Sequence, residues 1–432
     1  MIKKFSEEAS INNIGSVQYD RPQKYMSEKD KAQARDNIGI GEVVKRELEE
    51  VMFANLPIAE KTLRFSFGDL EYDPTTAPDV NGISPKGVHN GTWTKLTTRN
   101  ANIWDYTVPG NTLSKEWNGG TNVNGNCWAD VEKNPIKIIN SNLTGITVMD
   151  RFLQRSYAIT EIWKLDVSTV TGSTAYLFSQ LRNCSVFPEV FDFTNNTSSD
   201  WSVGMFQRCE KMTVAPKLLT EGAHTSNATY MFAGCMSLQY IPYFNMSYIT
   251  QIQNFMLHCF SLTNESIAEL DFSELPANCT VANHAFAGIN HLDTIPAGLP
   301  LSQFVDLYGF GDIDSSASGY DDYPPSYASF KTLPNMNLTA ATTVQYAFCG
   351  NLNLQVIPEI ICPNVTNVCG MFESCKNIEA GMLRLYSYLK SLGAQITNHT
   401  DCFTDCGIDT ESGRIERRYI PQSWGGDGPE EV

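Results

Sequence analysis

Histidine is the scarcest chemistry-bearing residue in the chain, and none of its six copies sits in a catalytic setting. They are His89, His224, His258, His284, His291 and His399. A nucleophilic serine or cysteine needs a base and a characteristic local turn, and a zinc protease needs two histidines one helical turn apart. Neither pattern occurs. His399, Cys402 and Cys406 offer three potential metal ligands close together, but a structural zinc takes four. The segment Gly311–Pro325 opens as Asp312-Ile-Asp314-Ser-Ser316, like a calcium loop. Ala317 stands where that loop needs glycine, however, and Tyr323 where it needs glutamate. Gly311–Pro325 therefore reads as a surface loop or a recognition loop, with Asp312, Asp314, Tyr320, Asp321 and Tyr323 as candidate contacts. Tyrosine suits that role because it covers contact area at low entropic cost. Glycosidic cleavage needs two carboxylates at a set separation, and among 48 acidic residues no sequence feature singles out a pair. The expectation is a protein that is not an enzyme and holds no cofactor or metal.

The twelve cysteines have a different explanation. Tyr230-Met231-Phe232-Ala-Gly-Cys235-Met-Ser-Leu238-Gln-Tyr-Ile241-Pro242 states a rule of one apolar residue at every third position. Phe206/Cys209/Met212, Phe286/Ile289/Leu292/Ile295 and Phe348/Asn351/Leu354/Ile357 repeat it, and Phe372/Cys375/Ile378 and Phe403/Cys406 are weaker copies. The residues that open each copy, here called lead residues, are 153, 178, 206, 232, 256, 286, 310, 348, 372 and 403. Phe310 opens a copy that the insertion interrupts, with Phe330 resuming it. A repeat of this length implies stacked coils, none of which can bury its apolar edge alone. The residues that such a core needs are Phe206, Cys209, Phe232, Cys235, Leu238, Ile241, Phe286, Leu292, Phe348, Leu354, Phe372 and Cys375. Cysteines three places after a lead residue then form a column of small buried thiols rather than disulfides.

Composition agrees with an ordered protein. Apolar residues make up 42% and aromatics 11%, too many for a disordered chain. The net charge is −17, and no Lys/Arg run interrupts it, which argues against nucleic acid and anionic membranes as partners. No stretch reaches the roughly 20 apolar residues of a membrane span. Met1-Ile-Lys-Lys-Phe-Ser-Glu-Glu has no apolar run after its lysines, so a secretory signal is not expected.

Four regions follow from these patterns. Residues 1–60 should hold short helices. Ser27-Glu-Lys-Asp30 starts one through Arg35, and a second runs from Glu42 to about Asn55 with Val44, Leu48, Val51 and Met52 along one side. Residues 61–147 should be a β-rich cap or linker domain, with strands at Leu63–Phe67, Thr92–Leu96 and Ile136–Ile139. Trp93, Trp104, Trp117 and Trp128 should form its core. Residues 148–410 should be a solenoid of about ten coils, and 411–432 a tail. The fold class is mainly β with short helices.

Two resemblances add to this reading. Val17, Tyr19, Asp20, Gln23, Ser27, Lys31, Gln33, Ala34, Arg35, Asn37, Ile38 and Gly39 resemble a segment common in fibre proteins of tailed bacteriophages. Met26 and Asp30 depart from its usual leucine and glutamine. Residues 148–410 resemble the BspA-like leucine-rich repeats of bacterial surface proteins, which suits a crAss-like gut phage. The first resemblance implies a structural virion protein, a head or tail fibre or capsid decoration, with Tyr19, Asp20, Gln33, Arg35, Asn37, Gly39, Val44, Leu48 and Val51 at the assembly end. It implies a homotrimer, assembled in the host bacterial cytoplasm and joined to capsid or tail proteins through its N-terminus. The second implies short stacked parallel strands that present an extended face for host attachment to a surface glycan or protein. A bacterial leucine-rich-repeat adhesin and a fibre-borne polysaccharide depolymerase are the alternatives.

Overall fold

The computed structural model describes residues 42–76, 91–113, 135–221, 226–312 and 330–430. Among these the chain is mainly β, with three α-helices and no closed barrel. Helix α1, Glu42–Ala54, matches the helix expected at 42–55. Strands β1 (Thr62–Phe67), β2 (Thr92–Lys95), β3 (Asn102–Thr107), β4 (Ile136–Asn142) and β5 (Ile159–Ile162) form one sheet in the order β2-β3-β1-β4-β5. β1 runs antiparallel to β3 and β4, while β4 and β5 are parallel. The pairing direction therefore changes within this sheet, where the cap meets the first repeat.

Polar side chains tie α1 to the sheet. The Glu49 carboxylate accepts the amides of Arg99, Asn100 and Ala101 at 2.7–3.3 Å. Glu50 is buried and accepts from Ser66 Oγ at 2.6 Å and Lys137 Nζ at 2.9 Å. Burial alone would lower the Lys137 pKa, but the Glu50 and Glu161 carboxylates outweigh it and hold it above the usual lysine value. No basic residue lies in the last turn of α1. The β1 residue Arg64 supplies the cation instead, donating to the Phe53, Leu56 and Pro57 carbonyls and pairing with Asp105. Phe65, Phe67, Tyr72, Trp93 and Tyr106 pack together beneath β1. Trp93 is half-buried there, and buried Trp104 donates from Nε1 to Asn102. Trp117 and Trp128 lie outside the described residues.

Beyond β5, backbone hydrogen bonds link each repeat to the next. The Phe206 amide donates to the Met231 carbonyl at 2.9 Å, the Phe232 amide to Phe255 at 3.0 Å and the Phe372 amide to Cys402 at 3.0 Å. Amides two places before and after a lead residue do the same, as in Gly204 to Thr229 at 2.8 Å and Arg208 to Ala233 at 2.7 Å. The intervening amides close turns within the repeat: Met205 to Ser202, Gln207 to Gly204, Cys209 to Phe206. This alternation needs left-handed backbone two places either side of the lead. It occurs at Arg151 and Arg155, Tyr176 and Gln180, Gly204 and Arg208, and Tyr230 and Gly234, and continues to Asp401 and Asp405. Short parallel pairs follow further along each repeat: β6 (Val190–Asp192) with β7 (Lys217–Leu219), β8 (Ser226–Asn227) with β9 (Ile249–Gln251), and β10 (Met336–Asn337) with β11 (Ile360–Ile361).

The same ladder corrects one register. Gly311, not Phe310, donates to the repeat led by Phe348, through Ala347 at 2.8 Å. Left-handed Gly309 lies two places before it. Phe310 sits one position early, in the slot of Met205 and Met231, and the Gly311 position has no side chain of its own. The Phe330 ring fills that space from beyond the insertion: a Cβ on Gly311 would lie 2.3 Å from Phe330 Cε2.

The C-terminal stretch 411–432, expected as a tail, is folded through residue 430. Helix α2, Met382–Ser391, packs against α3, Glu411–Arg417. The Phe403 amide donates to the Trp424 carbonyl at 2.9 Å, which ends the ladder. Buried Arg417 donates to the Phe403 and Cys406 carbonyls at 2.8 and 3.1 Å, while Asp427 holds its guanidinium at 2.9 Å. It pairs carbonyls that a further repeat would otherwise cover. Arg417→Ala is expected to cost about 3 kcal/mol, because it removes the Cys406 carbonyl's donor and one of the two at the Phe403 carbonyl and leaves Asp427 without its partner. Urea unfolding measures this, and a loss below about 1 kcal/mol would rule out the capping role.

Candidate functional surface

The repeat positions expected to pack are buried. Phe206, Cys209, Phe232, Cys235, Leu238, Ile241, Phe286, Leu292, Phe348, Leu354, Phe372 and Cys375 all lie inside. Their columns place aromatic rings one above another, with Phe206 and Phe232 at 5.7 Å and 3° and Phe348 and Phe372 at 5.3 Å and 22°.

The cysteine column has a polar task as well as an apolar one. Cys209 Sγ donates to the Phe178 carbonyl at 3.3 Å, Cys235 to Phe206 at 3.1 Å, Cys259 to Phe232 at 3.1 Å and Cys375 to Phe348 at 3.0 Å. The Phe178, Phe206 and Phe232 carbonyls thus each accept a backbone amide from their own repeat and a thiol from the next. A thiol fits because it is small, apolar and still a weak donor. Burial pushes Cys209, Cys235 and Cys375 well above the ordinary thiol pKa, so they are poor nucleophiles and poor metal ligands. None of the described cysteines is in a disulfide.

Asn351 takes the cysteine slot at the root of the insertion. It is fully buried, donates from Nδ2 to the Gly311 and Phe348 carbonyls at 2.9 and 2.8 Å, and accepts the Phe330 amide at 3.0 Å. It therefore ties the residues on both sides of 313–329 to one point. Of the candidate recognition residues only Asp312 is described. It is buried, its carbonyl accepts the Gly288 amide at 2.8 Å, and its carboxylate lies 3.7 Å from His284 Nδ1. Asp314, Tyr320, Asp321 and Tyr323 lie outside the described residues, as do Tyr19, Asp20, Gln33, Arg35, Asn37 and Gly39.

At the opposite end, α1 turns one side outward. Val44 is half-buried, but Leu48, Val51, Met52 and Leu56 are 43–53% exposed. The inward side is Glu50, Phe53 and Ala54. The apolar stripe noted in the sequence is thus the free side of the helix, and the docked side is partly charged.

Other candidates resolve into packing. His399 stacks on Trp424 with centroids 4.2 Å apart, and burial lowers its pKa. Cys402 and Cys406 beside it are buried, and among the described residues no three His, Cys, Asp or Glu side chains are placed to hold a metal. Asn227 and Asn364 form hydrogen bonds between repeats, to Gln251 and to the Thr339 carbonyl, and Asn245 closes a local turn onto Ser247. No helix among the described residues is long and apolar enough to cross a membrane.

Three features escaped the sequence reading. The left-handed slots had a visible signal, glycine at 204, 234, 288, 350 and 370, always two places from a lead residue. Helix α2 had one too, in the helical spacing of buried Met382, Leu385, Tyr386 and Leu389. A carboxylate cluster had none: Glu373, Asp401 and Asp405 come from adjacent repeats. Comparison of the chain with protein-family models, with curated proteins and with solved structures found no match.

Two tests follow from this geometry. Asn351→Leu removes donors from two carbonyls and the acceptor of one amide, and should cost about 3 kcal/mol in urea unfolding. A cost below about 1 kcal/mol would mean that the root is held elsewhere. Burial, then Asp401 and Asp405, raise the Glu373 pKa above 4.5. Its contribution is therefore fully present below the unfolded pKa and is lost as pH rises through the folded value. Glu373→Gln should raise the melting temperature at pH 7 but give no gain at pH 4. An equal gain at both values would exclude the electrostatic cause.

Proposed function

We propose that this chain is a structural fibre protein of a tailed-phage particle. Its N-terminal part joins the particle, and a leucine-rich-repeat solenoid of about ten coils is displayed for adhesion to a host surface. The resemblance of residues 17–39 to fibre segments is the observation that carries this reading. Three features of the structure support it. α1 follows that segment directly and offers a free apolar side. The ladder joins repeats through backbone bonds and ends at the Arg417 cap, which suits one long displayed arm. Ten of the eleven described cysteines are buried, which fits a packing role for the repeats. The repeats alone would equally suit a bacterial surface adhesin; residues 17–39 favour the particle.

The outward side of α1 is proposed as the contact between copies, most simply in a trimer. A 13-residue helix with three large apolar residues exposed on one side, and Leu56 exposed just beyond its end, gains little from remaining alone in water. Sedimentation should give about three times the 48.1 kDa chain mass. Leu48→Lys with Met52→Lys should shift the protein to the single-chain mass without unfolding it. Particles assembled with a chain lacking residues 1–41 should carry no fibre. A wild-type chain that sediments at the single-chain mass would refute the trimer, and particles still decorated by the shortened chain would refute the anchor.

A further inference from the structure

Two tyrosines and two glutamates from neighbouring repeats form one connected group on the outer surface. Tyr240 and Tyr243 follow the lead residue Phe232, and Glu269 and Glu274 belong to the repeat led by Met256. Tyr243 Oη donates to Glu274 Oε1 at 2.9 Å, and Glu274 Oε2 accepts the Met246 amide at 2.9 Å. Glu269 accepts the Tyr243 amide at 3.4 Å and lies beside the Tyr240 phenol, whose pKa it raises. Val214 pairs with Tyr240 across a parallel bridge and is 54% exposed, and Tyr243 is 43% exposed. The Tyr243 ring is thus held in place by a carboxylate yet remains open to solvent, beside the half-buried Tyr240.

This bonding fixes what the surface can recognise. The Tyr243 phenolic proton is already given to Glu274, and the carboxylate oxygens beside it are acceptors only. Among the described residues neither Glu269 nor Glu274 has an ion pair. The charge of the whole chain, −17, has the same sign. A partner must therefore bring donors and positive charge, and an aromatic face beside a carboxylate suits an ammonium or guanidinium group with its alkyl stem.

We propose that Val214, Tyr240, Tyr243, Glu269 and Glu274 form a docking surface for a lysine- or arginine-bearing segment of another protein. The cation lies over a tyrosine ring and donates to the glutamates, and its methylene stem covers Val214. The surface is complete within the chain, so it can be tested on purified protein whether or not the chain is carried on a particle.

The test is fluorescence anisotropy of a labelled peptide of alternating lysine and glycine against the full chain. Tyr240→Ala with Tyr243→Ala keeps the net charge, and Glu269→Gln with Glu274→Gln keeps the rings. Each pair combines an exposed with a half-buried side chain, and thermal melts confirm that each variant is folded. Saturable binding by the wild type, weakened about tenfold in each variant, is expected. Equal binding by the tyrosine variant would mean bulk charge alone and would overturn the proposal. So would absence of saturable binding, or tyrosine-dependent binding of a neutral oligosaccharide such as cellohexaose without binding of the peptide.

Discussion

The structure depends on an alternation of backbone hydrogen bonds. Around each lead residue, every second amide reaches into the next repeat, and the amides between them close turns within their own repeat. One short segment is thereby a parallel ladder and a series of turns at once. Left-handed backbone makes that possible, and for residues other than glycine it costs on the order of 1 kcal/mol each. Among the described residues every left-handed non-glycine residue except Lys61 stands two places from a lead residue. Such strain persists because hydrogen bonds above and below fix each position, and because stacked apolar columns lie behind it. The cysteine column completes the arrangement by supplying a further donor to the Phe178, Phe206, Phe232 and Phe348 carbonyls.

Stacks of this kind must end without exposing unpaired backbone. The two ends solve the problem differently. At the start, β4 runs antiparallel to β1 and parallel to β5, so a cap sheet passes into the repeat direction without a break. At the finish, Arg417 replaces the missing thiol donors with a guanidinium held by Asp427. The ladder can thus be long, finite and polar along its edges, which is the geometry that an extended adhesive arm requires. The proposed fibre role places the apolar side of α1 at the assembly end and leaves the outer repeat surface for recognition.

Much of this was legible in the sequence because a buried column imposes the same residue type at the same interval. Phe206, Cys209, Phe232 and Cys235 could be placed inside from spacing alone. Register failed at Phe310 because the lead slot itself is held by Gly311, and the ring that fills it, Phe330, comes from beyond the insertion. For α1 the stripe was visible but its direction was not: Glu50 gains Ser66 and Lys137, partners distant in sequence, which reverses the usual expectation that the apolar side docks. Helix α2 went unread inside an apparent variable stretch. The role of Arg417 could not be seen at all, since it depends on where the ladder stops. Of the candidate assembly and recognition residues, spacing gave positions but no surroundings, and Asp312 proved to be buried against His284.

Amide hydrogen exchange, read residue by residue from Tyr176 to Leu257, measures the ladder most directly. Amides of Tyr176, Phe178, Gln180, Gly204, Phe206, Arg208, Tyr230, Phe232 and Gly234 are all donors to the next repeat. The account predicts that they exchange slowly, with one shared opening free energy, as parts of a single cooperative stack. Rapid local exchange at these amides, while turn amides such as Met205 and Met231 stay protected, would contradict it.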